Sequence, residues 1–187
     1  RNYSLPLSNS TTYHMKYLLT LAVTLFSFQA FCQGQFQQET AGSVSFASGQ
    51  IMMLAQAIPS DKYSWTPQTG VRNAAEVCAH IVSANYFFAS KLGAIIPENV
   101  KMETLEADLK TKEAIAAELK RSFEVVITAI KNTSDASLKT KVEFPFPGEY
   151  TQMTACLIVV AHANEHLGQL IAYARSNNIV PPWNDKK

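Results

Sequence analysis

The chain has 187 residues, 47% of them hydrophobic, with a formal net charge of +1. That composition suits a globular protein with a real core and excludes a disordered or collagen-like chain. Near-neutral charge without a basic stripe excludes the electrostatic footprint of a nucleic-acid binder, and no nucleic-acid partner is expected.

At the N-terminus, Met15 and Lys16 precede an apolar run from Tyr17 to Phe26, and Ala30-Phe31-Cys32 supplies a small-x-small cleavage site. This reads as an export signal over 15–32, with 1–14 an upstream extension outside the fold. The apolar run falls short of the roughly 20 residues that span a bilayer. A lipoprotein anchored through Cys32 is the less favoured alternative, because bulky Phe31 stands where lipid processing wants a small residue. The expected product is therefore a periplasmic or secreted domain of residues 33–187, a length suited to one core. Its two cysteines, Cys78 and Cys156, could pair in an oxidising compartment, but their apolar helical surroundings favour two buried free thiols.

Within 33–187 the periodicity predicts four helices and no convincing strand. The first covers about 39–57, with Val44, Phe46, Ile51, Met52, Leu54 and Ala55 on its apolar face. The second covers about 73–91, with Val77, Ile81 and Phe88, closed by Gly93 and Pro97. A short amphipathic turn is expected at 103–110. The third helix covers about 112–131, with Thr111 as N-cap and Ile115, Leu119, Phe123 and Ile130 at helical spacing. Two prolines make 141–148 an extended, lid-like loop. The fourth helix covers about 151–176, with Asn177 and Asn178 as terminal caps and Pro181-Pro182 blocking continuation. The fold class expected is all-α, a four-helix bundle, in which cofactor sites are built from side chains on facing helices.

Three of the chain's four histidines lie in this domain. His162 and His166 are four apart, about 40° from each other on one helix face. Gln169 and Tyr173 continue that line, and Ala155 precedes it. A polar line on a helix otherwise rich in Leu157, Ile158, Val159 and Val160 needs partners, because unpaired buried polar groups are costly. A metal ion would satisfy both imidazoles, and His80, flanked by Val77 and Ala84, can complete the set. Three neutral imidazoles with a free fourth position make an open, catalytic-type site, where a bound water or thiol becomes a nucleophile near neutral pH. Glu165, Gln169 and Asn85 are candidates to orient the imidazoles. Phe87, Phe88, Trp65 and Phe146 either line a pocket or belong to the core. The spacing also matches the H-x-x-E-H pattern of inverted zinc peptidases, but beyond His166 the chain has a single acid, Asp185, and no glutamate to serve as the further ligand.

The stretch Leu54 to Phe88, containing Ile58-Pro59-Ser60-Asp61-Lys62-Tyr63-Ser64-Trp65-Thr66-Pro67 and Val77-Cys78-Ala79-His80-Ile81, resembles the first half of a DinB-like (DinB/YfiT) protein. Ala161-His162, Glu165-His166-Leu167-Gly168-Gln169-Leu170, Tyr173-Ala174-Arg175 and Ile179-Val180-Pro181-Pro182 resemble its closing helix. The resemblance implies a four-helix bundle holding a divalent metal through one histidine of the second helix and two of the fourth, which fall on His80, His162 and His166. It also implies metal-dependent hydrolysis or thiol S-transfer on a small molecule. Imidazoles suit zinc, nickel, iron and copper alike. An export signal is a departure from the usual member and weakens the thiol reading, since low-molecular-weight thiol cofactors are cytosolic. The alternatives are a bundle that holds a metal or small ligand without turnover, and one with no metal. A homodimer is a further expectation for bundles of this kind.

Overall fold

The computed structural model describes residues 34–184. The expected signal at 15–32 and the extension at 1–14 lie outside them. Of the described residues, 36–184 belong to one compact unit. Its helices are α1 (Gln35–Ala57), α2 (Ala74–Lys91), the one-turn α3 (Leu105–Asp108), α4 (Lys112–Asn132) and α5 (Gln152–Ser176). Four long helices stand where the periodicity places them, and α1 begins four residues earlier than expected. Among the described residues no helix is long and apolar enough to cross a membrane.

Local chemistry sets the helix starts. Asn73 and Glu76 form a reciprocal capping box at α2: the Asn73 side chain accepts from the Glu76 N–H at 2.9 Å, and Glu76 accepts from the Asn73 N–H at 2.8 Å. Thr111 caps α4 by accepting from the Ala114 N–H, and Thr151 caps α5 by accepting from the Thr154 N–H. Each cap satisfies N–H groups that the helix itself leaves unpaired. At the end of α5, Asn177 is the cap and Asn178 turns left-handed, φ 59°. Asparagine tolerates that conformation better than most residues.

Side-chain hydrogen bonds fix the directions. Gln37, near the start of α1, donates to the Thr133 carbonyl beyond the end of α4. Lys112, at the start of α4, donates to the Gln56 and Ile58 carbonyls at the end of α1. These two helices are therefore antiparallel. Asn85 of α2 donates to Ser122 of α4, and Lys112 at the start of α4 lies over the ring of Tyr63, whose carbonyl accepts from the Ala75 N–H at the start of α2, so α2 and α4 run parallel. Gln152 reaches Lys91 and Tyr173 reaches Arg72, so α5 is antiparallel to α2. Parallel neighbours need a long crossover, and the α2–α4 link that carries α3 supplies it.

The core draws on all four long helices: Val44, Ile51 and Leu54 of α1; Val77, Ile81 and Tyr86 of α2; Ile115, Leu119, Phe123 and Ile130 of α4; Val159 and Leu170 of α5. Cys78 and Cys156 are free and buried within it. Burial pushes the Cys78 thiol up to about 12 and Cys156 up to about 11. Neither thiol is ionised or exposed enough to serve as a nucleophile at neutral pH.

The segment expected as an extended loop at 141–148 is a small hairpin. Strands β1 (Lys141–Val142) and β2 (Tyr150–Thr151) pair antiparallel, Val142 opposite Tyr150. Two-residue strands are too short to display period-two alternation, which is why no strand emerges from the sequence pattern. Gly148, at φ 142°, lies against the Tyr150 ring where a Cβ would collide. Both its conformation and its contact require glycine.

Candidate metal centre

His80 lies mid-way along α2, and His162 and His166 lie mid-way along α5. Because these helices are antiparallel neighbours, residues 82 apart in sequence face each other: His80 Nε2 is 3.2 Å from His162 Nε2. His166 Nε2 is 3.1 Å from the same nitrogen. One ligand atom from each histidine falls within 4.8 Å of the others. Ligands held tetrahedrally at the zinc–nitrogen distance of about 2.0–2.1 Å stand about 3.3 Å apart, close to the separations observed.

The outward nitrogens are tied down. His80 Nδ1 meets Glu106 Oε1 at 3.0 Å. His166 Nδ1 meets Gln169 Oε1 at 2.8 Å. Gln169 Nε2 donates to the Tyr173 hydroxyl at 3.0 Å, which donates to the Arg72 carbonyl at 2.9 Å. A carbonyl only accepts, so this chain has one polarity: Tyr173 must accept from the Gln169 amide nitrogen, leaving the amide oxygen for His166. His166 therefore carries its proton on Nδ1, and a carboxylate at Glu106 imposes the same on His80. Both Nε2 atoms then present bare lone pairs to one point. His162 Nε2 has at most one proton to offer two acceptors, so three neutral imidazoles alone leave a lone pair unmatched. A cation at the centre matches all three, and the donor set fits a divalent metal.

The electrostatics favour neutral rings at His162 and His166. Burial first, then His166, His80 and Arg72, lower His162 from 6.5 to about 3. His166 is also lowered, chiefly by burial, with the Gln169 hydrogen bond opposing. Neutral imidazole is the ligand form. In metal-free protein the sign follows from His162. Below about 6.5 the unfolded chain takes up a proton that the folded chain refuses until about 3. Stability therefore falls as pH drops through that window. Urea midpoints of metal-free protein should decline from pH 7.5 to pH 5, and a His162→Gln variant should decline less; identical slopes would refute this.

The other expected residues separate. Gln169 contacts His166, and Tyr173 extends that contact. Glu165 is exposed on α5, off the histidine line, and acts on His166 through its charge, with no hydrogen bond to the ring. Asn85 is placed away from the site: it is 2% exposed and donates to Ser122 on the α2–α4 seam. Five residues from His80 is about 140° around the helix, which turns it from the triad. Phe88 lies edge-on to His162, ring centres 5.8 Å apart, and its other neighbours are Phe87 and Phe144. Phe146 stacks on Phe144 at the hairpin tip. Trp65 meets Tyr173 edge-on at 5.3 Å.

Glu106 was not among the expected site residues. It belongs to α3, anchored by buried Leu105, and the amphipathic turn at 103–110 offered Glu103, Glu106 and Asp108 without distinguishing them. Replacing Glu106 or Gln169 by alanine should weaken zinc binding about 10–100-fold, the usual cost of losing an orienting partner. Asn85→Ala should leave zinc affinity unchanged, as competition with a chromogenic chelator will show.

The sequence profile of the DinB superfamily matches residues 47–170, about two-thirds of the chain, and spans all three histidines. The chain belongs to the DinB superfamily. Solved structures agree on the fold. A DinB-like protein from Bacillus cereus ATCC 10987 superposes with a TM-score of 0.65 at 18% identity, covering 78% of this chain and 95% of that one. A DinB-like protein from Bacillus subtilis gives 0.60 at 18% identity, covering 76% and 93%. A mutant of the mycothiol-dependent maleylpyruvate isomerase gives 0.60 at 10% identity, covering 72% of this chain and 60% of that one. No functionally curated protein matches the sequence. As in the sequence reading, the DinB-like chain is a helical bundle with a histidine triad that can hold a metal ion.

Proposed function

We propose that this DinB superfamily member is an exported, metal-dependent enzyme acting on a small molecule, with His80, His162 and His166 holding a divalent ion through Nε2. The observation that carries the reading is the convergence of three Nε2 atoms whose outward nitrogens, on His80 and His166, are held by Glu106 and Gln169. Such fixed tautomers behind a shared centre are how proteins present histidines to metals. Three protein donors leave a position free, as catalytic sites do. A metal bound there lowers the pKa of a water or thiol and stabilises developing negative charge. The chain's own residues orient and enclose: Glu106 and Gln169 hold the rings, and Phe88 screens one side of His162 from water.

Two chemistries fit, hydrolysis and addition of a thiol to an electrophile. The free cysteines do not supply the thiol, being buried, so the second would need a small-molecule thiol. The structural neighbour that is mycothiol-dependent favours that option, and the export signal expected at 15–32 favours hydrolysis. Elemental analysis of untagged protein should find one equivalent of a transition metal, and His80→Ala should lose it. Metal-loaded protein should then be compared on activated esters and on thiol conjugation to a bimane electrophile. Metal content unaffected by His80→Ala would sink the three-histidine reading. Recovery of the protein with residues 1–32 intact would sink export.

A further inference from the structure

The bonds behind the triad meet at one residue. From His80 the path runs to Glu106, whose second oxygen faces the Arg72 guanidinium at 3.9 Å. From His166 it runs through Gln169 and Tyr173 to the Arg72 carbonyl. Arg72 also lines a cleft of about 860 Å³ together with Ser60, Ser64, Asn73, Glu106 and Lys110, and no histidine reaches it. This is space of ligand size, one residue removed from the candidate metal centre.

The charges lining this cleft are unevenly engaged. Glu76 accepts from the Asn73 N–H in the capping box, and Glu106 is held by His80. Among the described residues Lys110 has no ion pair, and the guanidinium of Arg72 has only the long contact to Glu106. A charge-assisted N–H···O bond is about 2.7–2.9 Å, so the planar fork of Arg72 is under-used. Such a fork matches a carboxylate in two parallel bonds. Two acids on the same walls disfavour a doubly charged group such as phosphate.

We propose that this cleft binds the carboxylate of a small molecule on the Arg72 fork. Filling it draws Arg72 from Glu106 and so alters how firmly Glu106 holds His80. The coupling to His80 rests on the reading that the triad holds a metal; binding in the cleft does not. Lactate, titrated calorimetrically into metal-free full-length protein, should bind saturably. Arg72→Ala should weaken it by about tenfold or more, the worth of a charged hydrogen-bond pair. That variant keeps the backbone carbonyl that receives Tyr173, and Arg72→Lys, which retains the charge without the fork, should also bind more weakly than wild type. Arg175→Ala, an exposed arginine in the last turn of α5 that does not line the cleft, should bind as wild type.

Non-saturable binding, an unchanged affinity in Arg72→Ala, or inorganic phosphate binding as tightly as lactate would overturn the carboxylate site. In zinc-loaded protein, saturating lactate should shift zinc affinity about fivefold or more, within the usual range of coupled sites, and should not do so in Glu106→Gln. A shift equal in both would overturn the coupling. A protein that takes up no zinc at all would instead refute the metal reading, with the lactate titration still deciding the cleft.

Discussion

His162→Ala will cost more zinc affinity than any change outside the triad, exceeding the roughly 10–100-fold expected for an orienting partner. The reason is positional. His162 Nε2 lies 3.2 Å from one partner nitrogen and 3.1 Å from the other, so it is the shared vertex of the triad. Its removal leaves two donors from different helices and no chelating pair on α5. Zinc competition against a chelator reads the affinity directly, and far-ultraviolet circular dichroism will show the helices intact. A variant that still binds one equivalent with wild-type affinity would place the metal elsewhere.

Phe123→Ala will produce the largest loss of stability among single core changes, about 3–5 kcal/mol. Phe123 is 2% exposed, among the largest buried side chains, and belongs to α4 beside the polar seam of Ser122 and Asn85. Truncation leaves a cavity that the surrounding helices cannot close without losing contacts elsewhere. Urea unfolding should shift to a lower midpoint with little change in slope. Phe46, expected on the apolar face of α1, stands instead on its solvent face at 69% exposure, and Phe46→Ala should change stability by no more than about 0.5 kcal/mol. Equal effects at the two positions would mean that the assigned core is wrong.

The long helices were legible because their information is local. Ile115, Leu119, Phe123, Val126 and Ile130 repeat at helical spacing whatever surrounds them, and Thr111 and Asn73 mark starts through bonds three residues long. His162 and His166 share that advantage, being four apart on one helix. What the sequence hides is contact between distant segments. Glu106 reaches His80 across 26 residues from a helix of a single turn. No periodicity distinguishes it from Glu103 or Asp108. Asn85 shows the opposite error, since nearness in sequence to His80 suggested a partnership that the helix's rotation forbids. The hairpin was hidden by its brevity, and the early start of α1 by a glutamine-rich first turn that shows no apolar stripe.

The antiparallel setting of α2 and α5 has a mechanical side. An ion shared by His80 and His162 would close a loop of chain 82 residues apart in sequence, drawing the second and last long helices together much as a disulfide would. In the unfolded chain those imidazoles are far apart, so the ion's affinity becomes folding stability. The two cysteines, buried and free, provide no such staple. A domain of this kind would be fastened by coordination rather than by oxidation, opened by chelators and indifferent to reductants.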